Sequence, residues 1–110
     1  MDEINQIADE FLQWWIDPRS LPGFSGRFAP GFSFRMEPVG LADEDAVWFA
    51  EQKLPWSGVE VKERVIAGDE AVLVLEGEDP VTALRHRVSL RIVVQEGRIA
   101  SVLETFEAIE

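Results

Sequence analysis

The second half of the chain, Trp56 to Glu110, is punctuated as four consecutive β-strands, and no other feature constrains the fold as strongly. Gly68-Asp69 and Glu96-Gly97 are two-residue turn signals between β-rich runs, and Glu78-Asp79-Pro80 breaks the chain between them. A two-residue loop fixes register, so Gln95 should face Arg98 and every later pair in that hairpin follows. One face then carries Leu84, His86, Val88, Leu90, Ile92 and Val94 against Ile109, Glu107, Thr105, Leu103, Ser101 and Ile99. This is the expected core face, with His86 directly opposite Glu107. The other face carries Arg85, Arg87 and Arg91 with Phe106 and Glu104, which the arginines should reach diagonally. At Gly68-Asp69 the same logic sets Ala67 against Glu70, Arg64 against Leu73 and Val61 against Glu76. The run Ala71 to Leu75 is apolar without alternation, so both of its faces need cover.

The first half supplies cover for one face. Ile4, Ile7, Ala8, Phe11, Leu12 and Trp15 recur at helical spacing, which predicts an amphipathic helix over about 2–16, capped by Asp2 and ended at Asp17-Pro18. Trp14 lies off that stripe, at a rim or a subunit contact. The Pro- and Gly-rich run 18–31 reads as a packed loop, Phe32 to Met36 as a short strand, and about 41–53 as a second helix that buries Val47, Ala50 and Leu54. Two helices cover one sheet face only. A homodimer through the outer face, at Arg85, Arg87, Arg91, Phe106 and Leu73, is therefore expected.

Composition removes whole classes of function. At 110 residues and 46% hydrophobic content the chain is expected to be one domain spanning 1–110. A net charge of −11 repels nucleic-acid backbones and anionic membranes. No apolar run approaches a membrane span, and no signal peptide or anchor is read, so a cytoplasmic location is expected. Without cysteine or tyrosine, and with one histidine, neither a metal nor another cofactor is expected. Chemistry would rest on carboxylates, arginine or His86.

The phrases Val65-Ile66-Ala67-Gly68-Asp69-Glu70-Ala71-Val72-Leu73-Val74 and Glu96-Gly97-Arg98-Ile99, in this order behind two helices, resemble the nuclear transport factor 2-like superfamily, its SnoaL-like members best. The resemblance implies an α+β fold: a curved antiparallel sheet forming a cone, with the N-terminal helices on its concave face, a deep pocket, and frequent dimerisation. Glu37-Pro38-Val39-Gly40 resembles the stretch that carries the general base of ketosteroid isomerases, and would put Glu37 in that role. Phe11 and Leu90 fall where those isomerases have their oxyanion tyrosine and protonated aspartic acid, so isomerisation of that kind is disfavoured.

Two readings stay open. The domain binds a small apolar molecule without chemistry, or it is a cofactor-independent isomerase, cyclase or hydrolase using Glu37 or His86 as acid or base. The expected pocket is lined by Phe11, Trp15, Phe34, Trp48, Trp56, Val88, Leu90, Leu103 and Glu107. Each polar candidate also has a purely structural reading: Glu37 as a solvated residue before a proline turn, His86 and Glu107 as a satisfied pair. The aromatic residues could fill the cavity as readily as line it.

Overall fold

A computed structural model describes residues 3–109. Helix α1 (Glu3–Ile16) is followed by two 3-10 turns, strand β1 (Phe28–Glu37), the two-residue strand β2 (Leu41–Ala42) and helix α2 (Asp43–Gln52). Four long strands complete the chain: β3 (Ser57–Ala67), β4 (Glu70–Glu78), β5 (Arg85–Gln95) and β6 (Arg98–Ala108). All six strands form one open sheet in the order β2-β1-β6-β5-β4-β3. The four long strands pair antiparallel, as expected, and β1 joins them parallel to β6, which makes the whole sheet mixed. The expected cap Asp2 lies outside the described residues.

Both hairpins turn where the two-residue signals stand, with Ala67 paired to Glu70 and Gln95 to Arg98. The register beyond the second turn differs from the simple extrapolation. Val94 pairs with Ile99 but Val93 pairs with Ser101, so Ala100 is an extra residue in β6. A bulge of one residue exchanges the two faces of everything beyond it. Val102, Glu104 and Phe106 therefore face inward, opposite Ile92, Leu90 and Val88, while Leu103, Thr105 and Glu107 face outward. His86 pairs with Ala108, not Glu107, and Glu107 sits 4.0 Å from Arg87 on the outer face. Arg91 and Arg87 reach Glu70 and Glu76 on β4 instead of Glu104. A second extra residue, Lys62, shifts β3 so that Val61 pairs with Leu75.

The inner face of the sheet presents Ala71, Leu73 and Leu75 from β4 and Val88, Leu90 and Ile92 from β5, all fully buried. The regular alternation of burial along β4 corrects the expected outer-face set: Leu73 and Phe106 belong to the inner face, and Val72 and Val74 stand outside. Ile7, Ala8, Phe11 and Trp15 of α1 pack on the inner face as the helical stripe requires. Trp14 is also buried, ringed by Phe11, Phe24 and Phe28, because the loop after α1 folds back along the helix flank. Helix periodicity carries no information about that second wall.

Helix α2 buries Ala46, Val47 and Ala50 and ends at Gln52, with Lys53 already extended. Leu54 is thus out of helical phase and exposed, and Trp48 points away from the buried stripe at 63% exposure. Leu84, expected in the core wall, is exposed as well.

The bulge leads to a direct test. Deleting Ala100 removes the extra residue and leaves the pairs on either side of it in place, Ile99 with Val94 and Ser101 with Val93, so Val102, Glu104 and Phe106 should keep their inward positions. That variant should still unfold cooperatively and lose no more than about 3 kcal/mol, the range of an ordinary substitution, whereas non-cooperative unfolding would show that the assigned register is wrong. Urea unfolding followed by tryptophan fluorescence measures it.

Candidate functional site

The C-terminal end of α1 has to be satisfied before anything else in this region can form. The last carbonyls of a helix lack intrahelical donors and carry the negative end of its dipole. The segment after α2 meets that need. Lys53 Nζ donates to the Trp15 carbonyl at 2.6 Å and lies 5.4 Å over the Trp15 ring, while the Trp56 amide donates to the Ile16 carbonyl at 2.9 Å. Both helix ends are thereby tied together, and Trp56 stacks on Trp15 with centroids 4.5 Å apart.

Gly77 on β4 makes room for this stack. A Cβ there would stand 3.4 Å from the Trp56 ring and 3.0 Å from Val59 Cγ2. Trp15 also donates its indole N–H, at 3.1 Å, to Glu104 Oε1 on β6. One residue thus anchors a cation through its backbone carbonyl and ring, and a buried carboxyl through its indole N–H.

Lys53 and Glu104 line a cavity of about 130 Å³. Its apolar wall is Met36 from β1, Phe49 from α2, Trp56 and Phe106, with Val39 and Val81 from the adjoining loops. Both loop residues are themselves exposed, which puts them at the mouth. Asp79 and Thr82 of the β4–β5 loop complete the lining. Asp79 is held in place by its own turn: Oδ1 accepts from the Val81 amide at 2.7 Å, and its backbone N–H donates to the Leu84 carbonyl.

His86 stands behind this wall. It is buried, with Nδ1 3.1 Å from the Leu84 carbonyl and 3.8 Å from Asp79 Oδ2, and its ring lies edge-on to Trp56 and Phe106.

Burial dominates the electrostatics. Glu104 is pushed up from 4.5 to about 7 by desolvation, which the charge of Lys53 and the Trp15 hydrogen bond only partly offset. Lys53 is pulled down from 10.5 to about 8, again by desolvation, against the opposing pull of Glu104, Asp79 and Asp17. An apolar cavity thus contains an acid and an amine that both change charge near neutrality.

Other concavities lack this convergence. The largest, about 500 Å³, is an open groove at Gly31, Phe32 and the first turn of α2, where Asp43, Glu44 and Asp45 are all exposed. Among the described residues no group of three or more His, Asp or Glu side chains is placed to hold a metal ion.

The geometry sorts the residues proposed from sequence. Trp56 lines the cavity; Trp15 is not part of its wall and stands behind it, stacked on Trp56 and bonded to Glu104. Phe11, Phe34, Val88 and Leu90 are fully buried in the core and line no cavity wall. Trp48, Leu103 and Glu107 lie outside it, for the reasons of helix phase and register given above. Glu37 pairs with Thr105 on the outward side of the sheet, next to a cis bond to Pro38, whereas its neighbour Met36 faces the cavity. Glu37 and His86 therefore do not meet.

Sequence reasoning missed Lys53, Asp79 and Glu104. A signal for Glu104 was present: Ile99, Val102 and Phe106 cannot share a face under strict alternation, but one bulge between 99 and 102 aligns them.

The architecture recurs in known structures. A candidate ketosteroid isomerase from Kribbella flavida superposes with a TM-score of 0.76 at 17% identity, over 98% of this chain and 81% of its own. A protein of unknown function from Cytophaga hutchinsonii, described as NTF2-like, gives 0.72 at 17% identity, over 94% and 89%. A third, an NTF2-like protein of unknown function from Mesorhizobium loti, gives 0.70 at 20% identity, over 96% and 92%.

The chain has the nuclear transport factor 2-like fold.

No family profile and no curated protein matches the sequence. The nuclear transport factor 2-like fold therefore fixes the architecture and leaves the site to be argued from its residues. Among the described residues no helix is long and apolar enough to cross a membrane.

The shifted pair predicts a specific pH dependence. Folded Glu104 holds its proton more tightly than the unfolded chain does, so its contribution is most favourable below pH 4.5 and is lost as pH rises to about 7. Lys53 acts oppositely: folding disfavours its proton, so stability is regained as pH rises from about 8 toward 10.5. Thermal unfolding should show the pair's contribution at a minimum near pH 7–8. Glu104→Gln, which keeps an acceptor for Trp15, should flatten the acidic limb and start the alkaline one at lower pH, because Lys53 loses the charge that holds its proton affinity up.

Proposed function

We propose that this domain binds a small molecule whose apolar part fills the cavity beside Trp56 and whose polar group meets Lys53 and Glu104. The observation that carries this reading is the convergence of a buried carboxyl and a desolvated amine on one greasy cavity. Structural ion pairs at a surface have no need of such a space. The volume sets the ligand's scale. About 130 Å³ is comparable to the roughly 150 Å³ cavity that accepts benzene in an engineered protein, and far below the roughly 300–1,000 Å³ of drug-sized sites. A single ring or a short branched chain fits; a steroid nucleus does not. Val39 and Val81, exposed at the mouth, can support any part of the ligand that protrudes.

A second reading, acid–base conversion of the ligand, is favoured by Glu104 in place of Glu37 or His86. Glu104 pairs across the sheet with Leu90, so it puts a carboxyl beside the position where resemblance to the isomerases leaves a gap. A carboxyl titrating at about 7 is suited to proton transfer near neutral pH.

Assembly is a separate matter, and we propose a homodimer through the outer face. Val72, Val74 and Val93 are half-buried there in the single chain, and Leu103 is 39% exposed, between the Arg87–Glu76 and Arg91–Glu70 pairs. Light scattering should give twice the chain mass, and Val74→Glu should shift the protein to monomer. A wild-type monomer at micromolar concentration removes the dimer.

Binding is tested by titrating the protein with toluene and p-cresol while following backbone and aromatic resonances. The shifts should concentrate at Met36, Phe49, Trp56 and Phe106. Met36→Trp, which fills the cavity, should weaken binding by about tenfold or more, equivalent to about 1.4 kcal/mol. Shifts absent from these four residues would remove the site.

A further inference from the structure

We propose that Lys53 is a nucleophile, forming a reversible imine with aldehydes or ketones of single-ring size that enter the cavity, with Glu104 as its proton donor and acceptor. The inference rests on the binding reading above and names the chemical class of the ligand.

The arrangement around the amine carries it. Lys53 lines the cavity, and its Nζ is held at 2.6 Å by the Trp15 carbonyl. A carbonyl can accept only a proton, so this contact occupies one N–H and leaves the nitrogen lone pair free once the amine is neutral. A lysine that served only to cap the end of α1 would do so as the ammonium, in water. Here the ammonium lies in an apolar surround of Phe49 and Trp56, and it faces Glu104 from β6, Asp79 from the β4–β5 loop and Asp17 after α1. Desolvation outweighs those three carboxylates and lowers its proton affinity, which is the usual way an amine is made nucleophilic near neutral pH.

Glu104 is the matching acid. It lines the same cavity, and the Trp15 indole fixes one of its oxygens at 3.1 Å.

The chemistry closes without a further reagent. The amine lone pair attacks the carbonyl carbon, forming the C–N bond, and the C=O π pair moves to oxygen, which takes the proton of Glu104. The resulting Glu104 carboxylate removes a proton from nitrogen to give a neutral carbinolamine. The nitrogen lone pair then forms C=N as the C–O bond breaks. Oxygen leaves as water with the proton returned by Glu104, and the protonated imine remains beside the carboxylate. Water reverses every step, so the adduct is transient unless it is reduced.

The sequence provides its own control, because it contains two lysines, Lys53 and Lys62. Lys62 lies on β3, with its side chain 45% exposed, beside Glu60 and Glu76. The intact protein is incubated at pH 7 with benzaldehyde and cyanoborohydride, digested, and mapped by mass spectrometry. Lys53 should be benzylated faster than Lys62, by on the order of tenfold or more. Toluene in excess should protect Lys53 and leave Lys62 unchanged. Glu104→Gln should slow trapping at Lys53 alone.

Equal or slower trapping at Lys53 than at Lys62, or no protection by toluene, overturns the proposal. The wild-type comparison decides it even if Glu104→Gln fails to fold. Toluene shifts at Phe49 and Trp56 without preferential trapping would sink the imine and leave the binding reading standing. Absence of both would sink the two together.

Discussion

The hydrogen bond from the Trp15 indole to Glu104 is the contact on which the site depends. A carboxyl cannot be taken out of water without a partner, and removing compensation from a buried charged group costs several kcal/mol. Glu104 has one fixed donor, at 3.1 Å, and lies within the field of Lys53. Trp15 is in turn immobilised by its stack on Trp56 and by the load on its carbonyl from Lys53. The same residue, in the last turn of α1, therefore seats the β-sheet's buried acid and positions the amine. Any rearrangement that moves the end of α1 moves both titrating groups at once.

That contact exists because Ala100 bulges out of the β6 ladder instead of pairing within it. Without Ala100 as a bulge, Glu104 would face outward among Arg87 and Arg91, where surface ion pairs contribute little. The bulge exchanges an inexpensive position for a costly one. Costly burial of a carboxyl that is then left with a raised proton affinity marks functional sites more often than structural ones, although structural networks also do this. What favours function here is the space beside the carboxyl: a well-packed core would have closed around it.

The fold and the site were legible to very different degrees, for one physical reason. Turn chemistry is local, so Gly68-Asp69 and Glu96-Gly97 specified their hairpins, and the stripe Ile7, Ala8, Phe11 and Trp15 specified α1. The order of these elements was enough to imply the architecture. A site depends on which face each residue occupies several positions away from a turn, and one bulged residue reverses that assignment. His86 kept its inward place because β5 is regular; Glu107 and Leu103 lost theirs because β6 is not. Lys53 was invisible for another reason. Its position follows from where α2 stops and where the α1 carbonyls end, two facts that meet only in three dimensions. Trp14 belongs to the same class, since the loop that buries it has no period to read.

The closeness of the two proton affinities, about 7 for Glu104 and about 8 for Lys53, has its own consequence for a ligand. The two groups are coupled: the charge of each favours the charge of the other, and desolvation works against both. Hydrocarbon entering the cavity deepens the desolvation of both groups, raising the carboxyl and lowering the amine. A ligand that desolvates the pair far enough moves the proton from Lys53 to Glu104. Neutral amine and protonated carboxyl are the two species that carbonyl addition requires. An apolar ligand would thus produce the reactive form of the site by occupying it, whereas water in the same space favours the unreactive ion pair. A ligand too polar to desolvate the pair should bind without being modified, and this sets the order of reactivity by hydrophobicity rather than by carbonyl electrophilicity alone.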